Sequence, residues 1–229
     1  MSLWQPPDVA GMRVSYEGGQ LLESDLAPTP LWQFQAWFTQ VQDFGLPEPN
    51  AMILATADDS GAVSARTVLL KGVDERGFVF FSNYTSRKAA ALAANPQASV
   101  VFPWFAMHRQ VTVIGQVEQV SQAETAEYFR SRPHGSQVAA WASRQSSAID
   151  SRETIEARLA ALAERWPEGT EVPVPDFWGG YLIRATSVEF WHGRVSRMHD
   201  RLRYQPAEDA ESTPLLNLPD AWRVQRYAP

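Results

Sequence analysis

The chain contains no cysteine. Disulfides, thiolate metal sites and thiol nucleophiles are therefore excluded. Histidine is scarce as well: His108, His134, His192 and His199 are the four, and no pair has His-x-x-x-His spacing. That argues against a structural zinc site, and no metal ligand set is expected. No apolar run reaches membrane-spanning length. Residues 1–11 lack the basic-then-apolar order of a secretory signal, so a cytoplasmic location without membrane attachment is the default expectation. Positive charge is in deficit: the net charge of −6 over 229 residues argues against a surface that tracks nucleic-acid phosphates. No Gly-x-Gly-x-x-Gly follows a strand, which disfavours a doubly wound dinucleotide fold. Neither a Ser-His-Asp arrangement nor a pair of carboxylates suited to hydrolysis is evident.

What is present is an ordinary globular composition, 45% hydrophobic and 20% charged. Residues 1–20 are expected to form a flexible arm and residues 21–229 a single domain. Leu31, Phe34, Trp37, Phe38 and Val41 repeat at helical spacing before Gly45 and Pro47, predicting a helix over 31–44. Strand texture follows at 51–57, 63–73 and 78–83, separated by two short turns, which predicts an antiparallel meander. Further strands are expected at 99–104, 110–120, 181–185, 187–191, 201–204 and 221–227. Helices are expected at 85–95, 123–131 and 151–166. Six or more antiparallel strands with helices between them point to a barrel or half-barrel of the α+β class.

Against the acidic background, basic clusters stand out. Residues 190–204 hold four arginines, two histidines and one aspartate. On an extended strand Arg197, His199 and Arg201 would share one face, with Asp200 on the other. One reading is a solvated edge strand; the sharper one is a wall for an anionic, planar ligand, since arginine forks onto phosphate and stacks on rings. A second cluster is Tyr84-Thr-Ser-Arg-Lys88. Thr85 or Ser86 is a good N-cap, so Arg87 and Lys88 enter the first helical turn, where cations oppose the helix dipole. A bound anion at that end would compensate. Arg66 and Lys71 flank an apolar strand and by parity face opposite sides unless a bulge intervenes. Tyr128, Arg132 and Ser136 recur at four-residue steps around a helix end and suit a second phosphate, although an exposed helix end reads the same way. Gln110 and Gln145 could hydrogen-bond a heterocycle edge. Two phosphorylated planar molecules imply a cofactor that performs the reaction itself.

These segments, with Phe102-Pro-Trp104, Arg109-Gln110, Ser136-Gln137, Gln145-Ser146, Trp178-Gly-Gly180 and Arg197-Met-His-Asp-Arg201, resemble the pyridoxine/pyridoxamine 5′-phosphate oxidase family from about Met12 to the C-terminus. The resemblance implies an antiparallel split β-barrel and a homodimer with FMN at the subunit interface. It implies that Arg66, Val68, Ser82, Arg87, Lys88, Gln110, Gln145, Ser146, Trp191 and Arg201 hold FMN. It further implies that Lys71, Tyr128, Arg132 and Ser136 grip the substrate phosphate, and that Arg197 and His199 meet the substrate ring. Arg13 and Tyr16 look like the family's N-terminal pair that folds over the substrate. The expected reaction oxidises a phosphorylated B6 vitamer with oxygen, releasing hydrogen peroxide, and ammonia from the amine. Two departures from the family pattern stand out: His192 occupies a position where glutamine is usual, and Val14-Ser15 replace a more polar pair. The alternatives are another flavin enzyme on the same barrel (a phenazine-pathway oxidase or a deazaflavin-linked reductase), which would lack the substrate-phosphate set, or a non-catalytic flavin or pyridoxal phosphate binding protein.

Overall fold

Residues 8, 11–12, 14–16, 19–207 and 212–229 are described by the computed structural model of the chain. Helix α1 (Pro30–Asp43) starts where Thr29 accepts a hydrogen bond from the Trp32 amide and Pro30 takes the first helical position. Its stripe of Leu31, Phe34, Trp37 and Val41 is buried. Phe34 meets Phe78, Phe102 and Trp104 at centroid distances of 5.0, 5.1 and 6.0 Å. The helix therefore plugs the inner side of the sheet with aromatic surface, the largest apolar payload per residue.

Among the described residues that sheet has nine strands: β1 (Ala51–Ala57), β2 (Val63–Leu69), β3 (Gly72–Asp74), β4 (Gly77–Asn83), β5 (Gln97–Trp104), β6 (Arg109–Gln119), β7 (Trp178–His192), β8 (Asp200–Pro206) and β9 (Trp222–Arg226). The order is β2-β1-β5-β6-β7-β4-β3, with β8 on β7 and β9 on β8. These neighbouring strands all pair antiparallel. The expected three-strand meander does not form. Residues 63–73 are not one strand: the chain breaks at Leu70-Lys71, where the Leu70 amide bonds the Asn50 carbonyl and the Lys71 amide bonds the Val79 carbonyl. β2 then ends one rim of the sheet and β3 the other. Two residues joining opposite rims force the sheet to curl, which makes the split barrel.

Parity sorts the sheet's faces. Phe102, Val111, Phe190 and Leu202 form one cross-strand row and are all fully buried on the inner face. The neighbouring row, Pro103, Gln110, Trp191 and Arg201, faces outward. A bulge at Ile114/Gly115 bends β6 against β7. A Cβ on Gly115 would stand 2.1 Å from the Arg184 carbonyl oxygen, so only glycine allows this approach.

Four helices lie between strands: α2 (Arg87–Ala94), α3 (Gln122–Ser131), α4 (His134–Ala142) and α5 (Arg152–Arg165). Residues from α3, α4 and the following loops form a second small core of Phe129, Val138, Trp166, Val172 and Trp178. Helix α4 has no counterpart among the sequence expectations. Among the described residues, no helix is long and apolar enough to cross a membrane.

Candidate functional site

Between the β2 rim, α2, α3 and α4 lies a cavity of about 1010 Å³. Arg66, Lys71, Arg87, Lys88 and Arg132 line it, and among the described residues no carboxylate does. Arg66 and Lys71 thus share the cavity instead of facing opposite sides, because the break at Leu70-Lys71 resets the strand's parity. Val68, Ser82, Tyr128, Ser136, Gln145 and Ser146 complete the set of expected residues found there. Phe81 and Trp178 were not singled out as contacts, yet they form its aromatic wall. Tyr128 stacks on Phe81 at 4.0 Å, and the Arg132 guanidinium lies 4.7 Å from the Trp178 ring centroid. The density of aromatic residues in β4 and at the start of β7 was the sequence signal for that wall.

The cations form two groups. Arg66, Arg87 and Lys88 sit close enough to act on one another: burial and then Arg87 lower the Arg66 pKa, while burial and then Arg66 bring Lys88 from 10.5 down to about 8. Lys88 sits in the first turn of α2, which Ser86 caps by accepting from the Ala89 amide. Its ammonium donates to Ser82 Oγ at 3.0 Å, Ser86 Oγ at 3.3 Å and Gln145 Oε1 at 2.7 Å. Those neutral partners leave the charge uncompensated. Ser146 follows Gln145 with φ of 71°, a left-handed conformation that a non-glycine residue adopts at a cost. The second group is Tyr128 and Arg132. Arg132 Nη1 is buried with no hydrogen-bond partner among the described residues, and burial holds the Arg132 pKa down. A buried guanidinium donor without an acceptor is costly unless a ligand supplies one.

The Lys88 shift has a measurable consequence. Below pH of about 8 the ammonium is charged and attracts a phosphate dianion; above it the attraction is lost. FMN affinity is expected to fall as pH rises from 7 to 9, read by fluorescence titration, and Lys88→Met is expected to flatten that profile. Stability of the flavin-free chain runs the other way. The native lysine sheds its proton near pH 8 and the unfolded one near 10.5, so stability rises with pH between those values.

The remaining expected residues lie elsewhere. Gln110, Trp191 and Arg201 are neighbours across β6, β7 and β8 on the outer face. Buried Glu189 holds Arg201 through Nε at 3.1 Å and Nη2 at 3.0 Å, and also takes Arg203 at 2.7 Å. Sequence reasoning passed over Glu189, although a lone acid within Val188-Glu-Phe-Trp191 was its signal. Arg197 and His199 do not share a strand face with Arg201. Residues 195–197 form a short 3-10 turn, and Ser196 and Arg197 are both left-handed, with φ of 57° and 61°. His199 packs on Trp191 at 4.7 Å, and Tyr16 packs on His108, Trp191 and His199. The His199 Nδ1 accepts from the Arg194 amide at 3.0 Å. Burial and Arg197 lower its pKa. The neutral ring therefore carries its proton on Nε2 and offers a donor. His192, on the opposite side of β7 from Trp191, is buried, and Gly19 approaches its ring. Arg13 lies outside the described residues.

Two family profiles match the chain: pyridoxamine 5′-phosphate oxidase over residues 38–165, and the C-terminal dimerisation region of pyridoxine 5′-phosphate oxidase over 178–229. The chain belongs to the pyridoxine/pyridoxamine 5′-phosphate oxidase family. Enzymes of this family use FMN. The oxidase of Frankia casuarinae is 56% identical over 87% of this chain and 75% of its own length. That of Thermobifida fusca is 51% identical over 97% of this chain and 98% of its own. Among solved structures, PhzG from Burkholderia lata in complex with tetrahydrophenazine-1-carboxylic acid superposes with a TM-score of 0.81 at 26% identity, covering 91% of this chain and 98% of that one. The same organism's pyridoxine/pyridoxamine 5′-phosphate oxidase is 49% identical over 96% of this chain and 99% of its own. The chain stands nearer to the oxidase than to the phenazine protein.

Proposed function

We propose that two copies of this chain bind FMN between them and oxidise pyridoxine 5′-phosphate or pyridoxamine 5′-phosphate to pyridoxal 5′-phosphate. Molecular oxygen is the final acceptor; hydrogen peroxide is released, and the amine also yields ammonia. One observation carries the reading: among the described residues five cations and no carboxylate line a single cavity, in a chain of net charge −6. The two cation groups in that cavity suit two phosphates, one for the cofactor and one for the substrate.

A second copy is part of the reading because the site residues occupy opposite faces of one sheet. The cavity holds Arg66, Val68, Ser82, Arg87, Lys88, Gln145 and Ser146 for FMN, and Lys71, Tyr128, Arg132 and Ser136 for the substrate phosphate. Gln110, Trp191, Arg197, His199 and Arg201 line no part of it. The outer face that bears Gln110 and Trp191 also exposes Ile53 and Ile114, an apolar strip suited to a self-complementary twofold contact. Its docking would bring the partner subunit's Arg197 and His199 over the cavity.

The residues present fit the cofactor, because the uncompensated Lys88 awaits an anion, and the Arg132 donor without an acceptor awaits the substrate's. When bound, FMN supplies the two-electron acceptor. The chain's own contribution is placement. Arg132 and Lys71 would fix the substrate by its phosphate, Arg197 would press its ring into register, and the His199 Nε2–H would donate to a ring substituent. Because Nδ1 already accepts from the Arg194 amide, His199 serves as a donor and not as a base at that nitrogen. The phenazine alternative lacks a use for Lys71, Tyr128, Arg132 and Ser136.

The test is direct. Purified protein is expected to show the visible flavin spectrum and, on addition of pyridoxine 5′-phosphate under air, to form aldehyde and peroxide in equal amounts. Folded protein that refuses FMN would overturn the reading. Flavin-bearing protein without oxygen uptake would make it a carrier.

A further inference from the structure

Asp200 is 6% exposed and lies in sequence between His199 and Arg201. Its Oδ2 accepts from the Leu21 amide at 3.0 Å and from Arg194 Nη1 at 3.3 Å; its Oδ1 accepts from Arg226 Nη1 at 2.6 Å. Arg226 Nη2 donates in turn to the Leu21 carbonyl at 2.9 Å and to Glu23 Oε2 at 2.9 Å. One carboxylate–guanidinium pair therefore holds both main-chain polar groups of Leu21. Upstream, a Cβ on Gly19 would lie 3.0 Å from the His192 ring, so the segment runs tightly against β7. Tyr16 reaches 4.4 Å from His108, 5.7 Å from His199 and 6.0 Å from Trp191, between ring centroids. On the other side of the same carboxylate, Arg194 begins the loop that carries Arg197, and its amide fixes His199.

We propose that Asp200 is a positioning residue for the substrate side of the site. Through Arg194 it sets the loop bearing Arg197 and His199, and through Leu21 and Arg226 it latches the segment that lays Tyr16 on His199, His108 and Trp191. It touches neither cofactor nor substrate. This inference rests on the oxidase reading above. Its energetic basis is that a buried carboxylate accepting from two guanidinium groups and an amide is worth more than neutral bonds, and an amide side chain of the same size keeps the packing while losing the charge.

The experiment uses the FMN-loaded enzyme. Asp200→Asn is expected to leave flavin content and kcat within about twofold and to raise KM for pyridoxine 5′-phosphate about tenfold, the scale of one charged hydrogen bond. Equilibrium affinity for pyridoxal 5′-phosphate, read by absorbance, is expected to fall by the same factor. In a Tyr16→Ala background the further loss is expected to be clearly smaller than tenfold, since the part that runs through Tyr16 is already gone and only the Arg194 route remains. Arg226→Gln cuts the latch from β9 and is expected to reproduce the KM rise; it decides the matter if Asp200→Asn does not fold. Additive losses in the double variant, or flavin loss at unchanged KM, would overturn the proposal. A wild-type protein that binds both ligands without turnover would contradict the oxidase reading instead, while product affinity in the variants still reports the latch.

Discussion

Arg132→Met and Arg197→Met chains, each inactive alone, recover about a quarter of wild-type turnover when they are unfolded together and refolded as an equal mixture. The figure follows from twofold symmetry. Random pairing makes half of the dimers mixed, and each mixed dimer has one site with both arginines intact and one with neither. The premise is geometric: Arg132 lines the cavity and Arg197 does not. If both acted within one subunit, mixing would restore nothing, because every site would keep its lesion. Oxygen uptake of the refolded mixture, against each variant refolded alone, is the measurement. No recovery from material that is dimeric and flavin-loaded would sink the shared site.

The second large effect is expected at Arg197 alone. Arg197→Ala lowers kcat/KM about 10²- to 10³-fold, the usual loss when a preorganised donor to the reacting substrate is removed, with flavin content within about twofold of wild type. Two features support so large an effect. Arg197 has no ion-pair partner among the described residues, so its fork is free for a ligand. It is also held in a left-handed conformation beside a second left-handed residue, Ser196, and backbone strain of that kind persists where surrounding structure over-determines it. Flavin absorbance per chain and initial oxygen uptake separate the two quantities. Parallel loss of flavin and activity would contradict a substrate role.

Most of the architecture was legible because its elements carry their own periodicity. The α1 stripe, the Ser86 cap and the β1 and β4 runs each report local structure through local residues. What escaped was set by tertiary pairing. Residues 63–73 read as one strand because Leu69, Leu70 and Lys71 give no turn chemistry; the break exists because Leu70 bonds to Asn50, just before β1, and Lys71 to Val79 in β4. The alternation of Arg197, His199 and Arg201 misled for a related reason. The bonds of Arg194 to His199 and Asp200 fold the preceding residues into a turn, and no spacing rule contains those partners. Helix α4 was hidden by its start at Pro133-His134-Gly135, which reads as loop. As for the site, charge excess in an acidic chain marked the five cavity cations, whereas Val68 and Ser82 followed only from the family resemblance. The division between inner and outer faces emerged only from the strand register.

The joint at Leu70-Lys71 works as a ruler. Arg66 and Val68 stand on one rim and Lys71 begins the other, with at most ~3.6 Å of chain per residue between them. No loop motion can widen that span, since both ends are bonded into the sheet. In the proposed site, the separation between the cofactor's grip and the substrate's grip is therefore inherited from covalent chain length. A vitamer whose anionic tail were longer or shorter by a bond would bring its oxidisable carbon to the wrong place, however well its ring stacked.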